Sequence, residues 1–218
     1  MKYNSDSLLF SLMTRIADIM ILNVLFLITS LPIITIGISC TSMYYVAMKI
    51  IQNENQEDLS ILKSYFHSFK QNLLPGIEIW IAALLFGGVL FLDIRIITSM
   101  GLQTFQTILL VATGTVVFLF VCTLQFIFPF LSRFNTGLFT TVKASCLMAV
   151  AHFPHAVLML AITAGAVWIT FLNKYTIYTG IFFWMFVGFS TIALIKAKMF
   201  IRIFQGIEQK QTEENQKD

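Results

Sequence analysis

The sequence predicts an all-α membrane protein, a polytopic bundle of transmembrane helices. Two observations lead to this fold class. First, 57% of the 218 residues are hydrophobic and only 11% are charged, whereas a soluble domain carries about 25% charged residues. Second, several apolar runs approach or exceed the roughly 20 helical residues that cross a bilayer. The lipid bilayer is therefore the expected environment, and the formal net charge of +3 gives no indication of nucleic-acid binding.

Four apolar runs in the later part of the chain predict transmembrane helices. Their ranges are 77–97, 106–131, 146–171 and 177–195. At about 1.5 Å per residue, each of them reaches across a hydrocarbon core of about 30 Å.

The segment 16–51 fits either one span followed by a surface segment or two spans joined by a turn at Ser30, Leu31 and Pro32. With two spans, six in total, twelve of the fourteen Lys and Arg residues fall on one side of the membrane. With five spans the division is ten to four. Because basic residues concentrate on the cytoplasmic side, we favour six spans in the cytoplasmic membrane, with both termini cytoplasmic. A broken or re-entrant helix over 33–51 is the alternative.

The segment 59–74 has the periodicity of an amphipathic helix between the second and third spans. Its apolar residues recur at intervals of three and four: Leu59, Leu62, Phe66, Phe69 and Leu73. Lys63, His67 and Lys70 lie in a line on another face. We predict a cytoplasmic helix that either rests in the membrane interface or docks through these three basic residues onto an acidic partner.

Five residues of the first two spans suit either a polar path or close helix packing. They are Asp18, Asn23, Thr35, Gly37 and Thr41. Polar groups at membrane depth are costly and indicate function by default. Gly37 and Thr41 lie one turn apart, and small residues at that spacing let a neighbouring helix approach closely. Both interpretations stay open here.

Common catalytic motifs are absent from the sequence, including the nucleotide-binding loop, the nucleophile elbow and the zinc-protease motif. We therefore expect neither enzymatic activity nor a cofactor. His152 and His155 leave a zinc site half complete, so we expect no metal; a reaction carried by these histidines is a third functional interpretation. The membrane domain is expected to cover residues 1–204, followed by a polar, disordered cytoplasmic tail over 205–218.

Three motifs occur in order along the chain. Asn23-x-Leu25 precedes residues 30–37 (Ser-Leu-Pro-Ile-Ile-Thr-Ile-Gly); residues 66–72 (Phe-His-Ser-Phe-Lys-Gln-Asn) and 128–134 (Phe-Pro-Phe-Leu-Ser-Arg-Phe) follow. Together they resemble the YesL family of small bacterial membrane proteins, although Phe130 stands where that family usually has leucine. The resemblance extends over residues 5–204.

The YesL family has no established activity, but its members are often encoded beside carbohydrate-uptake transporters and polysaccharide-degrading enzymes. The resemblance therefore implies an accessory or regulatory role in oligosaccharide uptake, with a component of a sugar ABC transporter as the partner. The alternative function is a small transporter or channel with its own permeation path.

Overall fold

Every element of the computed structural model is helical over the residues that it describes, which are 5–52, 60–99, 103–134 and 136–215. Side chains are described for residues 13–206 within those ranges, apart from Gln103. The α-helices are α1 (Ser5–Ser30), α2 (Ile36–Gln52), α3 (Ile61–Gln71), α4 (Leu73–Ser99), α5 (Gln103–Arg133), α6 (Leu138–Ala151), α7 (Phe153–Thr170), α8 (Lys174–Phe183) and α9 (Phe189–Asn215). The predicted all-α fold is confirmed.

Six helical stretches of the described chain are long and apolar enough to cross a membrane. They are Met13–Ser30, Ile33–Gln52, Leu73–Ser99, Thr104–Arg133, Phe153–Thr170 and Lys174–Gly206. The chain is therefore a multi-pass membrane protein of six candidate spans, as predicted. The stretch Ile33–Gln52, for which the sequence also allowed a broken or re-entrant helix, has the length of a full span.

The turn between α1 and α2 lies where the sequence places it. α1 ends at Ser30, and Pro32 precedes a short 3-10 turn, Ile33–Thr35, that leads directly into α2. The Thr35 hydroxyl donates to the carbonyls of Thr29, at 2.6 Å, and Pro32, at 2.8 Å. The bond to Thr29 satisfies a carbonyl that the end of α1 leaves without a helical partner, and the bond to Pro32 closes the turn that leads into α2.

α2 is the central helix of the bundle and contacts α1, α3, α4, α5 and α9. α3 and the start of α4 run antiparallel to it. At one end of α2 the Lys49 ammonium donates to the Ser64 hydroxyl at 3.1 Å, and at the other end the Trp80 indole donates to the Ile33 carbonyl at 2.7 Å. α3 therefore lies beside α2 and not beyond its end.

The prediction of one continuous span over 146–171 was wrong. α6 ends at Ala151, His152 leaves helical geometry with φ −112° and ψ 38°, and α7 begins at Phe153. Pro154, near the start of α7, is the physical reason. It has no N–H to donate to the Val150 carbonyl, and its ring would clash there in a continuous helix.

The C-terminal segment is helical beyond the predicted start of the tail at residue 205. α9 continues to Asn215, and residues 216–218 lie outside the described part. The domain boundary at 204 and the disorder of the tail stay predictions.

Candidate functional site

α3 presents a mainly polar face to the bundle. Ser60 is the N-cap of the helix, and its hydroxyl accepts a hydrogen bond from the backbone N–H of Lys63 at 3.4 Å. Five side chains on one side of the segment are buried, and four of them are polar or hydroxyl-bearing: Ile61, Ser64, Tyr65, Ser68 and Asn72. Most α3 contacts are with α2 and α1. The sequence pattern predicts an apolar face and a basic face on this helix but does not predict this third, buried face.

Tyr65 fixes α3 against the hairpin of α1 and α2. Its side chain is completely buried, its hydroxyl lies 2.6 Å from the Thr29 hydroxyl, and it donates at 3.5 Å to the Ser39 carbonyl. Burial raises the pKa of Tyr65 to about 12, so the phenol stays neutral at neutral pH. A neutral phenol keeps the proton that it donates within this pair of contacts.

The three basic residues predicted for docking are all exposed on α3. Lys63, His67 and Lys70 lie along the outer side of the helix, away from the buried face. Leu62 and Phe66 are also exposed, by 52% and 41%. Leu59 lies outside the described residues. α3 thus presents adjacent basic and apolar surfaces from a helix that the bundle holds in place.

A basic cleft opens between the end of α2 and the start of α3. This cavity of about 300 Å³ is lined by Tyr45, Lys49, Ser60, Lys63, Ser64 and His67. A second cavity, of about 270 Å³, adjoins it and shares Tyr45 and Lys49. Arg133, at the end of α5, lines the second cavity. The structure therefore brings Lys63 and His67 together with Lys49, which the sequence gave no reason to group with them.

The Asn23 side chain joins α1 to the segment between α8 and α9 and to the start of α9 by three hydrogen bonds. It is completely buried, and its amide donates to the carbonyls of Trp184, at 3.0 Å, and Met185, at 2.8 Å. Its own oxygen accepts from the backbone N–H of Ser190 at 3.1 Å. Trp184–Gly188 is a π-helical turn between α8 and α9. Such a turn departs from the α-helical hydrogen-bond pattern, and Asn23 provides partners for its backbone groups.

The α2 candidates also serve the packing of the bundle. A Cβ added at Gly37 would lie 2.8 Å from the Trp80 Cβ and 3.1 Å from the Gly76 carbonyl oxygen. The buried Thr41 hydroxyl donates to the Gly37 carbonyl at 3.0 Å. Thr35 is half-buried and closes the turn described above. Gly37 therefore permits the close approach of α4, as the packing interpretation requires.

Asp18 stands apart from the other four candidates. It is half-buried on α1, and no hydrogen bond within the described chain links it to Asn23. None of the five residues lines either of the two basic cavities described above. Instead, Asn23 belongs to the contact of α1 with the π-helical turn, and Gly37 to the contact of α2 with α4.

Lys196 is a buried residue that sequence reasoning missed, since it was counted only among the basic residues of one membrane surface. It is 5% exposed, and its ammonium donates to the Gln125 side-chain oxygen at 2.9 Å. The Gln125 amide nitrogen is buried without a partner in the described chain. Lys196 lies one turn before the buried Phe200 on α9, and this helical spacing is the signal in the sequence that could have identified Lys196 as buried.

The two histidines adjoin each other at the break between α6 and α7. Their rings lie 6.2 Å apart in an edge-to-face arrangement. His155 is exposed, and His152 is half-buried. Within the described ranges no three His, Cys, Asp or Glu residues form a group that could hold a metal ion.

Comparison with known proteins gives one match. Residues 19–94 match the model of a family described as "Protein of unknown function, DUF624". No curated protein and no solved structure matches the chain. The matched stretch covers less than half of the chain. It includes α2, α3 and the α1 segment with Asn23, and hence all the described residues that line the basic cleft.

Proposed function

We propose that this protein is an accessory or regulatory factor of the cytoplasmic membrane that binds another membrane protein through the basic face of α3. The observation that carries the proposal is the exposure of Lys63, His67 and Lys70 on a helix whose opposite side is buried. A docking surface on a fixed helix loses little conformational entropy on binding. The proposal assigns a binding role and no catalytic reaction.

Charge suggests the kind of partner surface that would fit. Two lysines and a histidine in a line on α3 complement an acidic surface, and such complementarity favours specificity and fast association. The structure groups Lys63 with Lys49 and, through the adjoining cavity, with Arg133 at one end of the bundle. This grouping supports a cytoplasmic position for that end, because basic residues concentrate there.

The resemblance to the YesL family suggests which partner to test first. A component of a sugar ABC transporter, or another protein of oligosaccharide uptake, is the expected partner. The matching family is itself of unknown function, so the link to carbohydrate is part of this proposal.

The test is capture of partners from native membranes by the full-length protein, with and without oligosaccharide in the growth medium. The variant carries Lys63→Glu and Lys70→Glu. A matched control carries Lys198→Glu and Arg202→Glu, which reverse two exposed charges on α9. We expect the wild type and the control to capture a transporter component and the α3 variant to lose it while still inserting normally. Equal capture by both variants would refute docking through α3.

A transporter with its own path is the second candidate, and the burial of Lys196 favours it. An ionisable side chain within a spanning helix is costly and is typical of ion or substrate pathways. Lys196→Met should then abolish a flux of ions or sugars that the purified wild-type protein supports in liposomes. Absence of any wild-type flux under imposed gradients would remove this candidate.

A further inference from the structure

We propose that the basic cleft between α2 and α3 is a binding site for a phosphate group, supplied either by an anionic phospholipid or by a soluble phosphate compound. This inference goes beyond the proposed function, because it needs no protein partner. It assigns a ligand to a cavity in which Lys49, Lys63 and His67 converge with the hydroxyls of Ser60 and Ser64.

The chemistry of the lining favours a phosphate over other ligands. Every described residue of the cleft with a charged or titratable nitrogen is a lysine or a histidine, and no described residue of either cavity is acidic. Phosphate oxygens accept hydrogen bonds from ammonium and hydroxyl donors, and such charge-assisted bonds are about twice as strong as neutral ones. The cleft supplies both kinds of donor.

Lys49 is already held in position for an anion. It is half-buried, and its ammonium donates to the hydroxyl of Ser64, itself a buried residue, at 3.1 Å. An ammonium has three donors, so two remain after this bond. Lys63 lines the same cavity, and its side chain has no hydrogen-bond or ionic partner among the described residues. Two like charges that face one cavity repel each other, and a bound anion would relieve that repulsion.

The surroundings of the cleft are compatible with both sources of phosphate. The exposed apolar residues Leu62 and Phe66 lie on α3 beside the basic residues, where acyl chains of a phospholipid would pass. Arg133 across Tyr45 lines the adjoining cavity, which gives a larger phosphorylated molecule a second basic contact. The phosphate group is common to both sources, so the first experiment asks whether it binds, and its arms ask from which source.

The test uses the full-length protein with two probes. In a nonionic detergent, inorganic phosphate is titrated by calorimetry against chloride at equal ionic strength. In nanodiscs, native mass spectrometry counts phosphatidylglycerol retained in competition with phosphatidylcholine. Binding of either probe by the wild type supports the site and identifies the source. Binding of neither probe above its control overturns the proposal.

Matched variants locate the binding in the cleft. Lys49→Gln and Lys63→Gln should each weaken the binding about tenfold or more, since each removes one charge-assisted contact. Lys70→Gln removes an exposed charge of the same helix that does not line the cleft, and it should leave the affinity unchanged. An equal loss in Lys70→Gln would overturn the proposal, because it would indicate attraction to the whole basic face.

Two further measurements separate misfolding and partner binding from ligand binding. Lys49→Arg keeps the charge and should retain most of the affinity, whereas general damage at this position would abolish binding in both Lys49 variants. In partner capture, Lys49→Gln should behave as the wild type does, because Lys49 lies off the docking face. Loss of phosphate binding with normal capture would show that the two sites fail independently.

Discussion

The helices α2 and α4 differ in how much of each is buried in the bundle, and the difference is opposite to the one that hydropathy alone predicts. Ten of the seventeen residues of α2 are buried in the chain, against three of the twenty-seven residues of α4. Yet α2 is the helix richer in hydroxyl residues, with five among its seventeen residues, whereas α4 has two among twenty-seven and is mostly apolar. In a bilayer, lipid tails solvate an apolar side chain as well as the protein interior does, so hydrophobicity does not drive a helix into the bundle. Small residues, by contrast, let helices approach closely. The hydroxyl content, not the hydrophobicity, therefore identifies the interior helix here.

The first prediction fills the close contact between the two helices. Gly37→Leu should lower the free energy of unfolding by about 3 kcal/mol, the upper part of the range for overpacked interiors, because even a Cβ there would meet the Trp80 Cβ at 2.8 Å. Reversible unfolding by SDS in mixed micelles measures the difference.

Gly88→Leu in the C-terminal half of α4 is the control for this change. A Cβ at Gly88 meets nothing within 4 Å, and leucine favours helix over glycine by up to about 1 kcal/mol. This variant should therefore be neutral or slightly stabilised. Equal losses at both glycines would contradict the contrast between α2 and α4.

The second prediction removes the clamp on the π-helical turn. Asn23→Leu should cost about 2 kcal/mol, because the backbone groups of Trp184, Met185 and Ser190 lose their partners and unsatisfied buried groups carry the full desolvation cost. Thermal unfolding in detergent checks the loss. Thr179→Val is the control, since this exposed threonine bonds only within α8. A stability of Asn23→Leu equal to that of the control would refute the structural role.

Sequence reasoning reached the fold because span length and the distribution of basic residues are local properties of the chain. It also found the turn at Pro32, where proline follows the end of an apolar run. It failed at His152, since the apolar composition continues across the break and proline near a span end is compatible with a membrane helix. Nothing in composition distinguishes one span from two helices there.

The candidate site was only partly predictable for a related reason. Helical spacing placed Lys63, His67 and Lys70 on one face, and the structure has them exposed. Lys49 joins Lys63 only because α3 turns back along α2, and this antiparallel packing is a tertiary contact that no periodicity encodes. The same holds for Lys196 and Gln125, which are brought together by the contact of α5 with α9.

The third prediction tests the polar contact of α3 with the hairpin. Tyr65→Phe should lower the free energy of unfolding by about 1 kcal/mol, the usual net value of one hydrogen bond, because it removes the bond to the Thr29 hydroxyl. Tyr178→Phe, at an exposed position of α8, should change nothing measurable.

The raised pKa of Tyr65 adds a pH signature to this prediction. Its pKa is about 12 in the folded chain against an ordinary 10.0, so above pH 10 the unfolded chain ionises first. The stability that the neutral phenol maintains is complete below pH 10 and is lost as pH rises toward 12. Tyr65→Phe should therefore lose stability less steeply than the wild type over this interval. Identical pH profiles would contradict a buried phenol.

The smallest effect is expected near the C-terminal end of α4, where a polar contact with α5 involves a side chain that the bundle leaves exposed. The Thr113 hydroxyl donates to the Asp93 carboxylate at 3.0 Å, but Asp93 is exposed. Asp93 lies near the end of α4, where its carboxylate can reach the head-group region once the contact is lost, so Thr113→Val should cost only about 0.5 kcal/mol. Thr115→Val on the same helix as Thr113, which breaks only a bond to the Val111 carbonyl, is the control.

A double-mutant cycle that combines Thr113→Val with Asp93→Asn measures the coupling energy of this pair alone. A coupling energy as large as the loss in Tyr65→Phe would show that the exposed polar contact between α4 and α5 is as strong as the buried contact of α3 with α1.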